Sequence, residues 1–151
     1  MRKFAKGSDL SKSRTTLFTL DHPMPTTILN LGNPGERQTG ITTLGVAMIN
    51  GLAIYQREHA WPMFITSDRN ALQWTTHHRG LLDGLGTWAD AVLNQQLVAK
   101  PTLAVIDDCN LYTPEKLYRL VATIQRRMSA LNCQTQIVLL RNPYDLSKVK
   151  P

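Results

Sequence analysis

The sequence predicts an α/β domain, a mostly parallel sheet flanked by helices. Three observations predict it. Short apolar, β-branched runs alternate with longer stretches of helical periodicity. One of these runs leads through a glycine-rich loop, residues 32–43 (GNPGERQTGITT), directly into a helical stretch. Another, residues 103–110 (LAVIDDCN), is apolar and then abruptly acidic at Asp107 and Asp108.

Taken in order, residues 1–14 mix Lys, Arg, Ser and Gly with almost no apolar content and read as a basic, disordered arm. The domain is expected to span residues 15–147, with a short basic tail at 148–151. Residues 15–20 alternate weakly, as a short edge strand would, and the two prolines of DHPMP stop it. TTILNL, residues 26–31, is short, apolar and bounded by Pro and Gly, as a buried parallel strand should be. From Thr42 to about His59, Leu44, Met48, Leu52 and Tyr55 fall at helical spacing, and Val46, Ile49 and Ala53 widen the stripe, so a largely buried helix is expected. Gly45 and Gly51 each cost about 1 kcal/mol inside a helix, and close packing against a sheet is the commonest reason to keep them.

WPMFITS (61–67) predicts a second core strand, with Ser67 or Asp68 capping the helix that follows. HHRGLLDGLG (77–86) is broken by glycines and is expected to be a loop with helical fragments; Trp88 to Val98 reads as a helix. After the acidic strand end, Thr113-Pro114-Glu115 gives a capping threonine, proline at the first helical position and a carboxylate in the positive first turn. Leu117, Leu120, Val121, Ile124, Met128 and Leu131 keep one apolar face through the helix that follows, and Lys116, Arg119, Arg126 and Arg127 mark its outer face. QIVLL (136–140) is the last strand.

At 151 residues, 42% of them hydrophobic and 19% charged, the chain fits one globular domain. No apolar run reaches the roughly 18 residues of a membrane helix. The basic first residues lead into no apolar signal region, so cytoplasmic residence is expected. Cys109 and Cys133 cannot build a disulfide framework and are expected to be buried thiols. The net charge of +6 is concentrated at the ends: Arg2, Lys3, Lys6, Lys12 and Arg14 stand against Asp9 alone, and Lys148 and Lys150 add two more. The ten basic residues between them are balanced by ten acidic ones. Any contact with nucleic acid is therefore expected through the basic tails, and a protein partner through the neutral domain surface.

The chemistry turns on the loop and the acidic strand end. In parallel α/β sheets ligands bind beyond the carboxyl ends of the strands, where both features fall. Backbone amides around Gly35 and Gly40, with Thr42 and Thr43 opening the helix behind, are suited to phosphate oxygens. If Mg-ATP is the ligand, Thr42 and Asp107 are placed to hold the magnesium ion, and Asp108 to polarise a water. Against this, Ile41 stands where a phosphate loop of this spacing carries lysine. Loss of one such electrostatic contact commonly costs on the order of 10²-fold to 10³-fold in rate. Arg37, inside the loop, is the candidate substitute.

This order of segments resembles the first, RecA-like lobe of a superfamily 1 helicase of the RecD type. GERQTGIT resembles motif I, FITSDRNAL the motif Ia region, VIDDCN motif II and IVLLRNP the strand of motif III. The likeness covers residues 26–145 and is nearest to the vestigial helicase domain of conjugative relaxase-helicases, whose motif I is also degenerate. It implies a P-loop NTPase-like lobe in a DNA-transfer or nucleic-acid-processing assembly. The departures imply lost hydrolysis: Ile41 replaces lysine, Asp108-Cys109-Asn110 replaces the acidic-alanine pattern, and Arg141-Asn142-Pro143 lacks the acid and glutamine of motif III. The expected function is thus a non-catalytic binding or adaptor module, with loss of nucleotide binding favoured. An active ATPase using Arg37 or a residue in trans, and a scaffold whose glycine loop is only structural, are the alternatives. His77 and His78 are adjacent with no partner ligand at metal-binding spacing. Trp61, Trp74 and Trp88 suit a core, with Trp74 in QWTTHHR the best candidate for stacking on bases.

Overall fold

The computed structural model of the protein describes residues 16–20, 26–33, 40–55, 62–94, 103–131 and 134–149. Arg2, Lys3, Lys6, Lys12, Arg14, Gly35, Arg37, Trp61, Cys133 and Lys150 lie outside the described residues.

Six strands form one sheet: β1 (Thr16–Leu20), β2 (Thr26–Leu31), β3 (Met63–Thr66), β4 (Gly86–Trp88), β5 (Leu103–Ile106) and β6 (Gln136–Leu140), in the spatial order β1-β2-β6-β5-β3-β4. Every neighbouring pair is parallel except β1 with β2, which is antiparallel at the edge. The described helices are α1 (Ile41–Tyr55), α2 (Arg69–Arg79), α3 (Ala89–Asn94) and α4 (Pro114–Ala130). The fold is therefore the expected α/β sheet with helices on both faces. None of the described helices is long and apolar enough to cross a membrane.

Side chains alternate across the central strands, as the two-residue period of a strand requires. Ile28, Ile65, Ala104, Ile106, Ile137 and Leu139 meet Val92 of α3 and Leu117, Leu120, Val121, Ile124 and Met128 of α4. On the opposite face Phe64, Val105, Val138 and Leu140 meet Ile41, Val46 and Ile49 of α1. Burial on both faces explains why these strands read as continuous apolar runs.

Local chemistry sets the helix ends as expected at two places. Asp68 accepts from the Ala71 amide, and Thr113 accepts from the Lys116 amide with Pro114 behind it. Several sequence expectations are corrected. Helix α1 is not buried all round: Leu44 is 40% and Ile54 56% exposed. Its inner face is Ile41, Gly45, Val46 and Ile49, because Gly45 lets the helix approach the sheet. A Cβ there would lie 2.9 Å from Leu140 Cδ1 and 3.1 Å from both Phe64 and Val105 side chains. Gly51, by contrast, faces open space, so packing does not explain it. Residues 77–86 are the expected loop with a helical fragment: α2 continues to Arg79, Gly80 closes it at φ +74°, and residues 80–85 lead to β4. Trp88 ends that strand, so the helix starts at Ala89. Finally, the acidic segment leaves the sheet at Ile106 and tightens into a 3₁₀ turn over Cys109–Leu111, while Leu131 caps α4 and is half exposed.

Candidate functional site

The site forms where β2, β5 and β6 end. β6 lies between the strand that leads into the glycine loop and the strand that leads into the aspartates. Its own carboxyl end therefore enters the gap between them.

Thr42, the second residue of α1, donates its hydroxyl hydrogen to the Asp107 carboxylate, at 3.1 Å from Oδ1 and 3.2 Å from Oδ2. Asp107 is held by the sheet itself: its amide continues the ladder by donating to the Ile65 carbonyl at 2.9 Å. Its side chain is 5% exposed. Asp108 follows in the left-handed region at φ 51°. Arg141, the first residue after β6, is also left-handed at φ 57°, and its amide donates to the Leu31 carbonyl. One guanidinium nitrogen, Nη1, then donates to Asp108 Oδ1 at 3.0 Å and to Thr42 Oγ1 at 3.2 Å, with Asp107 Oδ1 at 3.6 Å. A left-handed conformation costs an ordinary residue about 1–2 kcal/mol, so the surrounding contacts must hold both residues in it.

A second network braces this one. Asn142 is 1% exposed, donates to Asn30 Oδ1 at 2.9 Å and to the Tyr144 carbonyl, and accepts from the Tyr144 amide. The Tyr144 hydroxyl donates to the Tyr112 carbonyl, tying the segment after β6 to the turn after β5. Cys109 is fully buried, donates to the Ile106 carbonyl and is pushed above its ordinary pKa by burial. It is a structural thiol, as expected.

The Asp107 carboxyl is pushed up to about 6, first by burial and then by the neighbouring Asp108 charge. Arg141 and the Thr42 hydrogen bond pull the other way, and burial wins because an ionised carboxylate at this depth has lost its water.

Of the residues expected at the site, Thr42, Asp107 and Asp108 are brought together. Gly40 turns into α1 at φ +75° with its carbonyl accepting from Leu44, and Thr43 lies on the exposed side of the helix, apart from the cluster. Ile41 is 2% exposed and packs on Gly32, where a Cβ would lie 3.0 Å from Ile41 Cγ1. Arg141, which the sequence marks only as a departure from a motif, is a further residue of the site.

The oxygens of Thr42, Asp107 and Asp108 are hard donors of the kind magnesium takes. As they stand they do not fit a Mg-nucleotide centre: Arg141 lies against all three, and position 41 brings no charge. Among the described residues no three His, Cys, Asp or Glu side chains are grouped to hold a metal; His77 and His78 pack edge to face. Compared with known proteins, the chain matches no protein-family model, no curated protein and no solved structure.

Proposed function

We propose that this chain is a non-catalytic, P-loop NTPase-like module that binds partners within a nucleic-acid-processing or DNA-transfer assembly. The observation that carries the reading is Ile41. The position from which a lysine would reach phosphate is 2% exposed and belongs to the core beneath Gly32. An apolar side chain so placed stabilises the domain and offers nothing to a phosphate. The test is calorimetry with ATP and with ADP, each with magnesium, on the intact chain. No heat of binding and no shift in melting temperature are expected; micromolar binding of either nucleotide would restore the ATPase reading.

Nucleic acid is favoured as one partner by the basic arm and by the surface of α2. Trp74 is 48% exposed, with the His78 ring 4.8 Å away and the Arg79 guanidinium 5.0 Å above its ring. At the other end of the helix Arg69 lies 5.8 Å from the Trp88 ring, and no carboxylate stands between Arg69 and Arg79 in the sequence. Aromatic faces edged by arginine accept single-stranded bases without reading sequence. Trp74→Ala is expected to weaken binding of a labelled oligothymidine between about 5-fold and 150-fold, from the roughly 1–3 kcal/mol that one stacked base contributes. Anisotropy at fixed salt measures it. Unchanged affinity would assign all binding to the arm.

A further inference from the structure

We propose that Arg141 is a built-in cation standing in the place of a divalent metal at the carboxyl end of the sheet. This deepens the non-catalytic reading and rests on it. The geometry is that of a coordination centre more than of a simple ion pair. Oxygens from three residues in two separate segments, the start of α1 and the two residues after β5, converge on one nitrogen at 3.0–3.6 Å. The Thr42 hydroxyl uses its hydrogen on Asp107 and its lone pair on Arg141, so the oxygen that would face a metal faces the guanidinium instead. Among the described residues no other cation pairs with Asp107 or Asp108.

The backbone is fitted to this task. Arg141 leaves β6 in a left-handed conformation, and Asp108 leaves β5 in one as well. The two side chains then meet at 3.0 Å, and the Arg141 side chain is only 15% exposed. Without the turn at 141 the chain would continue in the extended direction of β6. A long side chain that only needed solvent and a distant partner would not require it.

A tethered cation differs from a metal in having no concentration dependence. The cluster is compensated whether or not magnesium is present, and no nucleotide is needed to bring the ion in. A merely structural salt bridge and a metal substitute part on one point. Removing the arginine from a salt bridge weakens the fold, whereas removing it from a metal substitute also uncovers a site for a hard divalent cation.

The experiment is a Mn²⁺ titration of the intact chain, without nucleotide, followed by calorimetry and by thermal melting, with Mg²⁺ as competitor. Wild type is expected not to bind at 5 mM Mn²⁺, on the order of the weakest oxygen-ligand sites. Arg141→Gln is expected to bind with Kd on the order of 10⁻⁴ to 10⁻³ M and to melt higher with Mn²⁺ than without it. The Arg141→Gln/Asp107→Asn double variant is expected to bind at least about 10-fold more weakly than Arg141→Gln. Arg141→Lys, which keeps a cation, is expected to exclude Mn²⁺ as wild type does. Mn²⁺ binding by wild type that Asp107→Asn abolishes overturns the proposal and needs no variant at Arg141. A folded Arg141→Gln that does not bind, or that binds independently of Asp107, overturns it too. ATP binding by wild type would sink the non-catalytic reading, while this titration bears on Arg141 alone.

Discussion

Asp107→Asn is expected to make the protein more stable above pH 7, by about 1–3 kcal/mol, although it removes half of a paired acidic site. The Asp107 carboxyl is raised from 3.8 to about 6. Between those values the folded state holds a proton that the unfolded state has released, so unfolding free energy falls as pH rises through the window. A raised carboxyl is least costly below about pH 4 and most costly above about pH 6. Two pH units correspond to roughly 3 kcal/mol. Asparagine removes the buried charge, and its side-chain carbonyl can still accept from Thr42. Arg141 retains Asp108 at 3.0 Å. Melting curves of both proteins from pH 4 to pH 8 measure the effect. The variant should gain on wild type as pH rises, reaching about 2–4 °C for each kcal/mol in a chain of this size. A variant less stable than wild type at pH 8 would mean that the Arg141 pairing outweighs burial.

The local parts of this fold are legible in the sequence, and the non-local parts are not. Strands β2 and β6 coincide with TTILNL and QIVLL because each is apolar on both faces and bounded by chemistry that ends a strand. Asp68 and Thr113 announce their helices because a cap is a contact within three residues. The inner face of α1 is not legible in the sequence because apolar residues surround it; Gly45, where the sheet comes within 3.1 Å of an added Cβ, is the residue that fixes its orientation. Strand β4 is three residues long, pairs along one side only and contains a glycine, so it carries no period to detect. Within the candidate site, Thr42 and the aspartates follow from strand ends. Arg141 does not, since it meets partners 33 and 99 residues away, and only the insertion of β6 between β2 and β5 brings them together. The available signal was a cation immediately after an apolar strand, at the edge of the sheet where the aspartates also emerge.

The obvious repair of the glycine loop, Ile41→Lys, is expected to destabilise the protein by roughly 3–6 kcal/mol and to leave Mg-ATP binding unrestored. Ile41 belongs to the cluster with Val46, Ile49, Phe64, Val105 and Leu140, and its side chain rests on Gly32, which is itself held at φ +85°. Lysine at such a position either keeps its charge in apolar surroundings or gives up its proton. Fully buried lysines fall by up to three to five pH units below their ordinary pKa, and each unit is worth about 1.4 kcal/mol. Reaching outward does not remove the difficulty, because a lysine extended toward the carboxyl edge meets the Arg141 guanidinium, which already compensates Thr42, Asp107 and Asp108. Two cations then compete for one pair of carboxylates. Thermal melting should show a fall of about 6–24 °C, at 2–4 °C for each kcal/mol. Ile41→Met, apolar and of similar volume, should lose less than about 1.5 kcal/mol. If Ile41→Lys melts within a few degrees of wild type and binds Mg-ATP, position 41 opens onto the phosphate site after all. The chain would then be one substitution from a nucleotide-binding protein, with Arg141 able to move aside.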